Sequence, residues 1–470
     1  MPNRRELLKA AFAAPFVSVE NRKPGTTDWQ LTRLRLDKAG GFRSPWIEGY
    51  CSHQSIEAGQ ALEIKVSTNP AARFQIEIFR MGYYGGTGAR RMTVLGPFAG
   101  KVQSDPEIGE RRLRLCEWDT SARIQIPDDW PSGVYLGRLT LVEGTAWQSY
   151  VIFVVRDRRK ADILFQVSDN TWQAYNVWPD KFSLYTHPKG SLVGESSVSF
   201  NRPYGKYPQI FENPQSVGSG EFLLWEFPLC YWLEQHGYDV TYCSNSDMID
   251  PAQPLRAKVF ISVGHDEYWD PRQYDTAKAA VAAGVTELYL SGNAVCFLSP
   301  YGPNRTIRRA GRYGGLSAEE KKTMGPFDME GPNEALLMGA RTITPFNGGG
   351  DWIATKPAHW MFEATGMKQG DSIPGLVGWE FHGDPANING LEVVAEGIAL
   401  SGGVRPAHWT STIYPGPKGN FVFNAATIWW AQGLSSPPGH WLPWSHWVRP
   451  HGPDPRVQRI TENLLRRAIK

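Results

Sequence analysis

The chain has 470 residues, and its 49 Lys and Arg against 47 Asp and Glu leave a net charge of +2, without the basic stripe expected of a nucleic-acid binder. That length predicts two or more domains with an ample core for each, and no apolar run approaches the length of a membrane-spanning helix. The five cysteines (Cys51, Cys116, Cys230, Cys243 and Cys296) lack CxxC spacing, so neither a structural zinc site nor a disulfide framework is indicated.

At the amino end, Arg4-Arg5 precede the short apolar stretch AAFAAPFVSV. Paired arginines before a mild apolar segment resemble a twin-arginine export signal, which would place the protein in the periplasm or outside the cell. An ordinary basic arm on a cytoplasmic protein is the alternative. Residues 1–26 are therefore set apart as a leader. From Thr27 to Asp157 the chain reads as strands and turns. Leu62–Val66 and Phe74–Phe79 alternate apolar and polar residues with period two, and Arg123–Pro127, Val134–Leu139 and Tyr150–Val155 continue the series. Short strands punctuated by clusters such as Asp128-Asp129-Trp130-Pro131 predict an immunoglobulin-like β-sandwich over 27–157. The loop Arg80-Met81-Gly82-Tyr83-Tyr84-Gly85-Gly86 is a flexible hairpin tip or an element reaching the next domain.

The charged run Arg156–Lys160 reads as a linker into a second domain, 158–470. Ile163–Val167 is its first strand, and it ends in Ser168-Asp169-Asn170-Thr171-Trp172-Gln173-Ala174-Tyr175-Asn176. A polar insertion then runs through Tyr185 to about Gly220, long enough to be functional or lid-like. Helical spacing over Glu221–His236 survives Pro228 and stops at Gly237, and Asp239–Cys243 is the next strand. The clearest stretch is Lys258–Phe297. Val259–Val263 is a buried strand, Asp270 caps a helix that has Pro271 at its first position and ends near Gly284, and Glu287–Leu290 is a second strand. Further strands are predicted at Gly375–Glu380 and Asn420–Phe423, and an amphipathic helix over Pro455–Lys470. The repeated strand–helix order predicts a mostly parallel α/β sheet with right-handed crossovers.

Three strand ends carry polar or phenolic groups: Asp169–Tyr175, His265–Tyr268 and Ser291–Asn293. Taken singly, each has a plain explanation. His265 with Glu267 reads as a surface ion pair, Tyr175 and Tyr185 as packed aromatics, and Asn293 as a loop cap. The functional case is their convergence on the carboxyl edge of one sheet, where open α/β sheets bind ligands.

The runs SDNTWQAYN, FSLYTH, SFNRPY, GHDEYW, LSGNAV and RITENLLRRA resemble the carboxyl-terminal region of the large (β) chain of N,N-dimethylformamidase and its relatives, across roughly residues 40–470. The resemblance implies an immunoglobulin-like domain followed by a domain similar to class I glutamine-amidotransferase-like folds. It also implies a mononuclear iron(III) held by Tyr175 of WQAYN, Tyr185 of SLYTH and Glu267 of GHDE. His265 and Asn293 would then touch those ligands or the substrate, and Glu380 of VGWEF would handle the attacking water. A homo-oligomer or a small accessory subunit is left open by the same resemblance.

Phenolates and a carboxylate are hard anionic donors, and three of them neutralise a trivalent ion. Three functions follow. The first is an iron-dependent hydrolase of a small amide or related C–N bond, in which the ion polarises the carbonyl and activates water. The second is a metal-free carboxylate hydrolase of glycosidase type using Glu267 and Glu380. The third is a non-catalytic protein that binds carbohydrate or another polymer, which the 19 tryptophans and 48 glycines also suit.

Overall fold

The computed structural model describes residues 16–36, 41–188, 193–206, 216–318, 320–323, 327–343, 347–442 and 452–470. Arg4 and Arg5 lie outside the described residues. Within residues 16–26, assigned by sequence to the leader, Phe16–Glu20 is a short helix in which Val17 is buried and Glu20 pairs with Arg90 at 2.7 Å.

The first part is a two-sheet sandwich. Ile47–Cys51, Ala61–Thr68 and Ala122–Gln125 pair antiparallel in that order. The facing sheet runs Ser55–Glu57, Gln148–Arg156, Gly133–Leu141, Arg73–Met81, Ala89–Ala99, and only Ser55–Glu57 is parallel to its neighbour. Alternation sends Leu62, Ile64 and Val66 inward to meet Ile76, Ile78, Leu139 and Phe153. Four of the five strands read from the sequence fall inside these elements, and Arg123–Pro127 overruns Ala122–Gln125 by two residues. Ala89–Ala99 is not among them because it lacks an apolar alternation, and its residues are mostly half-buried or exposed.

The five-stranded sheet is buried on both faces. Phe79, Met81, Val134, Leu136, Ile152 and Val154 form its second apolar face, which packs with Trp29, Phe227, Trp232 and Leu233. Across this contact lies a wholly buried ion pair. Arg80 donates to both oxygens of Glu234 (2.8 and 3.0 Å), to the Ser132 carbonyl and to Tyr84 Oη, while Tyr242 and Asn21 complete the carboxylate. A Cβ on Gly82 would lie 2.2 Å from Glu234 Oε2, which accounts for the glycine there. The loop beginning at Arg80 is thus the element that reaches the second part of the molecule.

That second part is built on nine strands in the spatial order Val240–Cys243, Ala161–Gln166, Ala257–Gly264, Thr286–Ser291, Phe421–Asn424, Arg405–Pro415, Glu392–Ser401, Gly348–Ile353, Ser372–Trp379. The first five are parallel and the remaining pairings antiparallel. The expectation of a mostly parallel α/β sheet is corrected accordingly: the sheet is mixed, and the whole is a β-rich molecule of several sheets. The reason lies in the connections. Parallel neighbours need a crossover of a dozen or so residues, which the helix Pro271–Ala283 supplies between Ala257–Gly264 and Thr286–Ser291. Later strands are joined by hairpins, as at Gly402-Gly403, where φ of +60° and +76° turns the chain back within a few residues.

The central unit follows the sequence closely. Val259 pairs with Thr286 and Val263 with Leu290. Asp270 accepts from the Arg272 amide, and Gly284 closes the helix at φ +106°. Val259, Ile261 and Val263 enter one core and Phe260 another, so the strand is apolar on both faces and shows no alternation. The expected 221–236 helix is a π turn, Phe222–Glu226, continued by the α-helix Phe227–Gln235; Pro228 sits in its first turn, where no amide donor is needed. The terminal helix Pro455–Ile469 is capped by Asp454 and buries Val457, Ile460, Leu464 and Leu465. Among the described residues no helix is long and apolar enough to cross a membrane.

Candidate metal and catalytic site

Immediately after the Ala257–Gly264 strand, His265, Asp266 and Glu267 point to different partners. Asp266 turns away, accepting from Gln166 (2.6 Å), Ser262 (2.8 Å) and Asn245 (2.9 Å), and so anchors the turn from below. Glu267 is fixed by its backbone. Its amide donates to Thr171 Oγ1, and its carbonyl accepts from the Cys296 and Phe297 amides, both at 2.9 Å. The side chains of His265 and Glu267 are left facing one buried space, with His265 Nε2 3.0 Å from Glu380 and 3.4 Å from Glu267.

Asn293 joins them from the end of Thr286–Ser291. It adopts φ +54°, a left-handed conformation Asn tolerates. Its Nδ2 donates to Glu380 at 2.7 Å and to Glu267 at 3.1 Å. Beside it, His382 Nε2 accepts the Ala294 amide at 3.0 Å and Nδ1 faces Asn424 Oδ1 at 2.9 Å, which fixes a neutral ring. Burial, only partly offset by Asn424, lowers the His382 pKa to about 4, so it holds the turn without charge.

Glu380 follows Ser372–Trp379, at the far edge of the nine-stranded sheet. It reaches the site because Thr427 Oγ1 binds the Leu376 carbonyl (2.7 Å), the Gly378 carbonyl (2.8 Å) and the Gly378 amide (3.1 Å), tethering that strand beside the end of Phe421–Asn424. Gly292 makes room for it. A Cβ there would lie 2.1 Å from the Glu380 carbonyl oxygen and 2.8 Å from the Ile428 amide, both backbone atoms that cannot swing aside. Gly292→Ala is therefore expected to cost about 1–3 kcal/mol and to push Glu380 out of reach of His265. A urea midpoint unchanged from wild type, with full activity, would show that this close approach does not matter.

Of the two tyrosines, Tyr175 comes from the strand end and Tyr185 from the insertion. Tyr175 ends the helix Asp169–Tyr175, and Tyr185 follows in the next loop. Arg202 of SFNRPY is 1% exposed and binds the stretch between them. It donates to Gln173 Oε1 (2.7 Å) and to the carbonyls of Gln173, Asn176, Trp178 and Phe182. With Leu184 donating back to Ala174 at 2.9 Å, the loop folds the two rings together, stacked with centroids 4.2 Å apart. Tyr185 is 37% exposed as a residue, yet its hydroxyl points inward, 2.9 and 3.0 Å from the two oxygens of Glu267. The Tyr175 ring also lies 5.3 Å from the His265 ring, and Tyr175 interacts electrostatically with Tyr185 and Glu267. All six residues named from the sequence, Tyr175, Tyr185, His265, Glu267, Asn293 and Glu380, thus meet in one place.

Electrostatics distinguish their roles. Burial disfavours the His265 imidazolium, but the Glu380 and Glu267 carboxylates outweigh it and hold the pKa well above its ordinary value. Burial would raise Glu267, but the hydrogen bond and charge of His265, with Arg309 and Tyr175, keep it below the usual carboxylate value. Burial, reinforced by Glu267, pushes the Tyr175 phenol far above its ordinary value, and burial does the same to Tyr185 against the pull of Arg309. A phenolate pair here therefore needs a cation beside it.

The donors fit such a cation in kind. Among the described residues no group of three or more His, Cys, Asp and Glu side chains is arranged to hold a metal ion. Two phenols and one carboxylate make a hard, all-oxygen set suited to a trivalent ion. The buried Asn293 Oδ1 has no hydrogen-bond partner, which leaves one acceptor in the site open for a water or an N–H.

Four neighbours have no role assigned to them from the sequence. Tyr268 donates to Tyr185 at 2.7 Å, and Arg309 lies 4.1 Å from the Tyr185 ring. Glu221 is buried near His265, and its carboxyl is pushed up to about 8, chiefly by burial. Trp379, 5.9 Å from the His265 ring and packed with Trp225, Leu224, Ile428 and Trp429, walls the site with apolar surface. Tyr268 is adjacent to Glu267 within GHDEYW and is open to notice there. Arg309 sits in an ordinary charged run, and only tertiary packing buries it.

The family described as N,N-dimethylformamidase beta subunit-like, C-terminal, matches residues 75–442. The chain belongs to this family. No curated protein matches it. Among solved structures it is similar to a Paenibacillus sp. cycloisomaltooligosaccharide glucanotransferase complexed with cycloisomaltoheptaose, at 7% identity and a TM-score of 0.18. The likeness spans 60% of this chain and 47% of that one, and at that level it carries no argument.

Proposed function

We propose that the protein is an amide hydrolase acting on a small amide or related C–N bond, with an iron(III) ion held by Tyr175, Tyr185 and Glu267. The observation that supports it best is the inward Tyr185 hydroxyl, set against both Glu267 oxygens with Tyr175 stacked on it. When bound, such an ion supplies Lewis acidity toward an amide carbonyl and acidifies water near neutral pH. The remaining chemistry belongs to the chain.

Glu380 accepts the proton from the attacking water, since its carboxylate already shares hydrogen bonds with Asn293 and His265. His265, between Glu380 and Glu267, passes a proton to the departing amine nitrogen, without which that nitrogen is a poor leaving group. Asn293 has committed both N–H groups to the carboxylates, so it does not donate to an oxyanion; its open Oδ1 accepts from the water and aims it. The Trp379 wall excludes bulk water and favours a small, weakly polar acyl or N-alkyl group.

The test is metal analysis and visible absorption of the purified protein, with hydrolysis of formamide and N,N-dimethylformamide followed by amine release. A coloured iron(III) protein that releases amine is expected. A protein that stays colourless and inert after loading with iron(III) sinks the proposal. Whether a small accessory subunit or a second copy is needed is read from the same preparation by its mass in solution.

A further inference from the structure

We infer that Arg309 and Tyr268 are positioning residues for Tyr185, forming a one-way hydrogen-bond chain that holds its oxygen ready as a metal ligand. This rests on the function proposed above. Arg309 is 2% exposed, with its guanidinium 4.1 Å from the Tyr185 ring centroid and 4.0 Å from that of Phe297. Its Nε donates to Tyr268 Oη at 3.0 Å, and a terminal nitrogen donates to the same oxygen. Tyr268 in turn lies 2.7 Å from Tyr185, and Tyr185 lies 2.9 and 3.0 Å from the oxygens of Glu267.

The direction of this chain follows from valence alone. A guanidinium has donors and no acceptor, so Tyr268 must meet Arg309 with a lone pair. Its single O–H is then free only for Tyr185. Tyr185 accepts that bond and directs its own proton to Glu267, which as a carboxylate only accepts. One lone pair of Tyr185 is thereby taken from the Arg309 side, and the side facing Glu267 and Tyr175 is the one vacated when its proton leaves. A buried cation ordinarily takes a carboxylate partner. Arg309 hydrogen-bonds a phenol, so its charge is delivered through Tyr268 to the Tyr185 oxygen. Groups that orient a metal ligand through a hydrogen bond tune the ion as well as its affinity.

A purely structural role would have Arg309 and Tyr268 only filling the cluster around Phe297, Leu184 and Ala174. The two readings differ in spectrum. A hydrogen bond to a phenolate lowers its donor strength and raises the energy of its charge transfer to iron(III). Tyr268→Phe deletes one oxygen and keeps the ring. It is expected to bind iron(III) about tenfold to a hundredfold more weakly and, at saturating iron, to absorb at longer wavelength than wild type. Arg309→Lys, which keeps charge but loses the paired donors, is expected to shift the band the same way by less. A band at the wild-type position in both variants, read at saturating iron, overturns the inference. A wild-type protein with no iron band overturns the tyrosine-ligand reading itself, and with it this inference, which an unshifted band would not do.

Discussion

Tyr185→Phe is expected to lose iron and hydrolysis together, by at least about a hundredfold in affinity, while the protein keeps its fold. Only the hydroxyl is removed, and the ring still stacks on Tyr175 and stays held by Arg202 through the loop. Tyr175→Phe is the same experiment from the helix side, and Glu267→Gln keeps shape while removing the charge that helps balance a trivalent ion. His265→Ala provides the contrast. It lies 3.4 Å from Glu267 and is not one of the oxygen donors, so the variant is expected to retain most of its iron and lose about 10²–10⁴ in rate, the usual worth of general acid–base help. Should Tyr175→Phe and Tyr185→Phe bind iron like wild type, the ligand set is wrong. Should His265→Ala keep its rate, proton transfer runs elsewhere.

The second large effect concerns the buried Arg80–Glu234 pair. Taking both charges from water is costly, and the arrangement is tolerable only because every oxygen of Glu234 is met, by Arg80, Tyr242 and Asn21. Removing one partner strands the other. Arg80→Met and Glu234→Gln are each expected to destabilise the protein by about 3–5 kcal/mol, read as a fall in the urea midpoint. The double change Arg80→Met with Glu234→Leu is expected to cost less than the two singles combined, though not nothing, because Tyr242 and the Ser132 carbonyl would still lose partners. Single variants within about 1 kcal/mol of wild type would show that water reaches the pair and shields it.

How much of this is legible in the sequence depends on whether the signal is local. The Asp270-Pro271 cap, the Gly284 stop and the apolar run at 259–263 are set by neighbouring residues, and they place the central unit and His265, Glu267 and Asn293 correctly on its edge. Of the antiparallel half only Ser372–Trp379 is read from the sequence, and Glu392–Ser401 escapes notice although Gly402-Gly403 is a hairpin signal, because it alternates poorly and carries Ile398 and Leu400 on an exposed face. Glu380 stands out by its motif, but nothing local says that a strand from the far edge of the sheet is tethered back by Thr427. The roles of Arg309, Arg202 and His382 are hidden for the same reason. Each is a polar residue in a polar stretch, and each acquires its role from partners distant in the chain.

The sandwich sheet buried on two sides also bears on how the molecule is made. Synthesis completes its strands at Arg156, but the residues that cover its second face, Phe227, Trp232 and Leu233, are translated roughly seventy to eighty residues later. At about 5–20 residues per second, the nascent chain presents Phe79, Met81, Leu136 and Val154 with Trp29 but without Phe227, Trp232 and Leu233 for roughly 4–16 s. Arg80 waits over the same interval, in water, for Glu234. The first third of the chain can therefore pair its strands early but cannot finish folding until the residues up to Leu233 arrive. A ribosome that stalls between Arg156 and Phe227 would hold out an adhesive apolar wall rather than a finished domain.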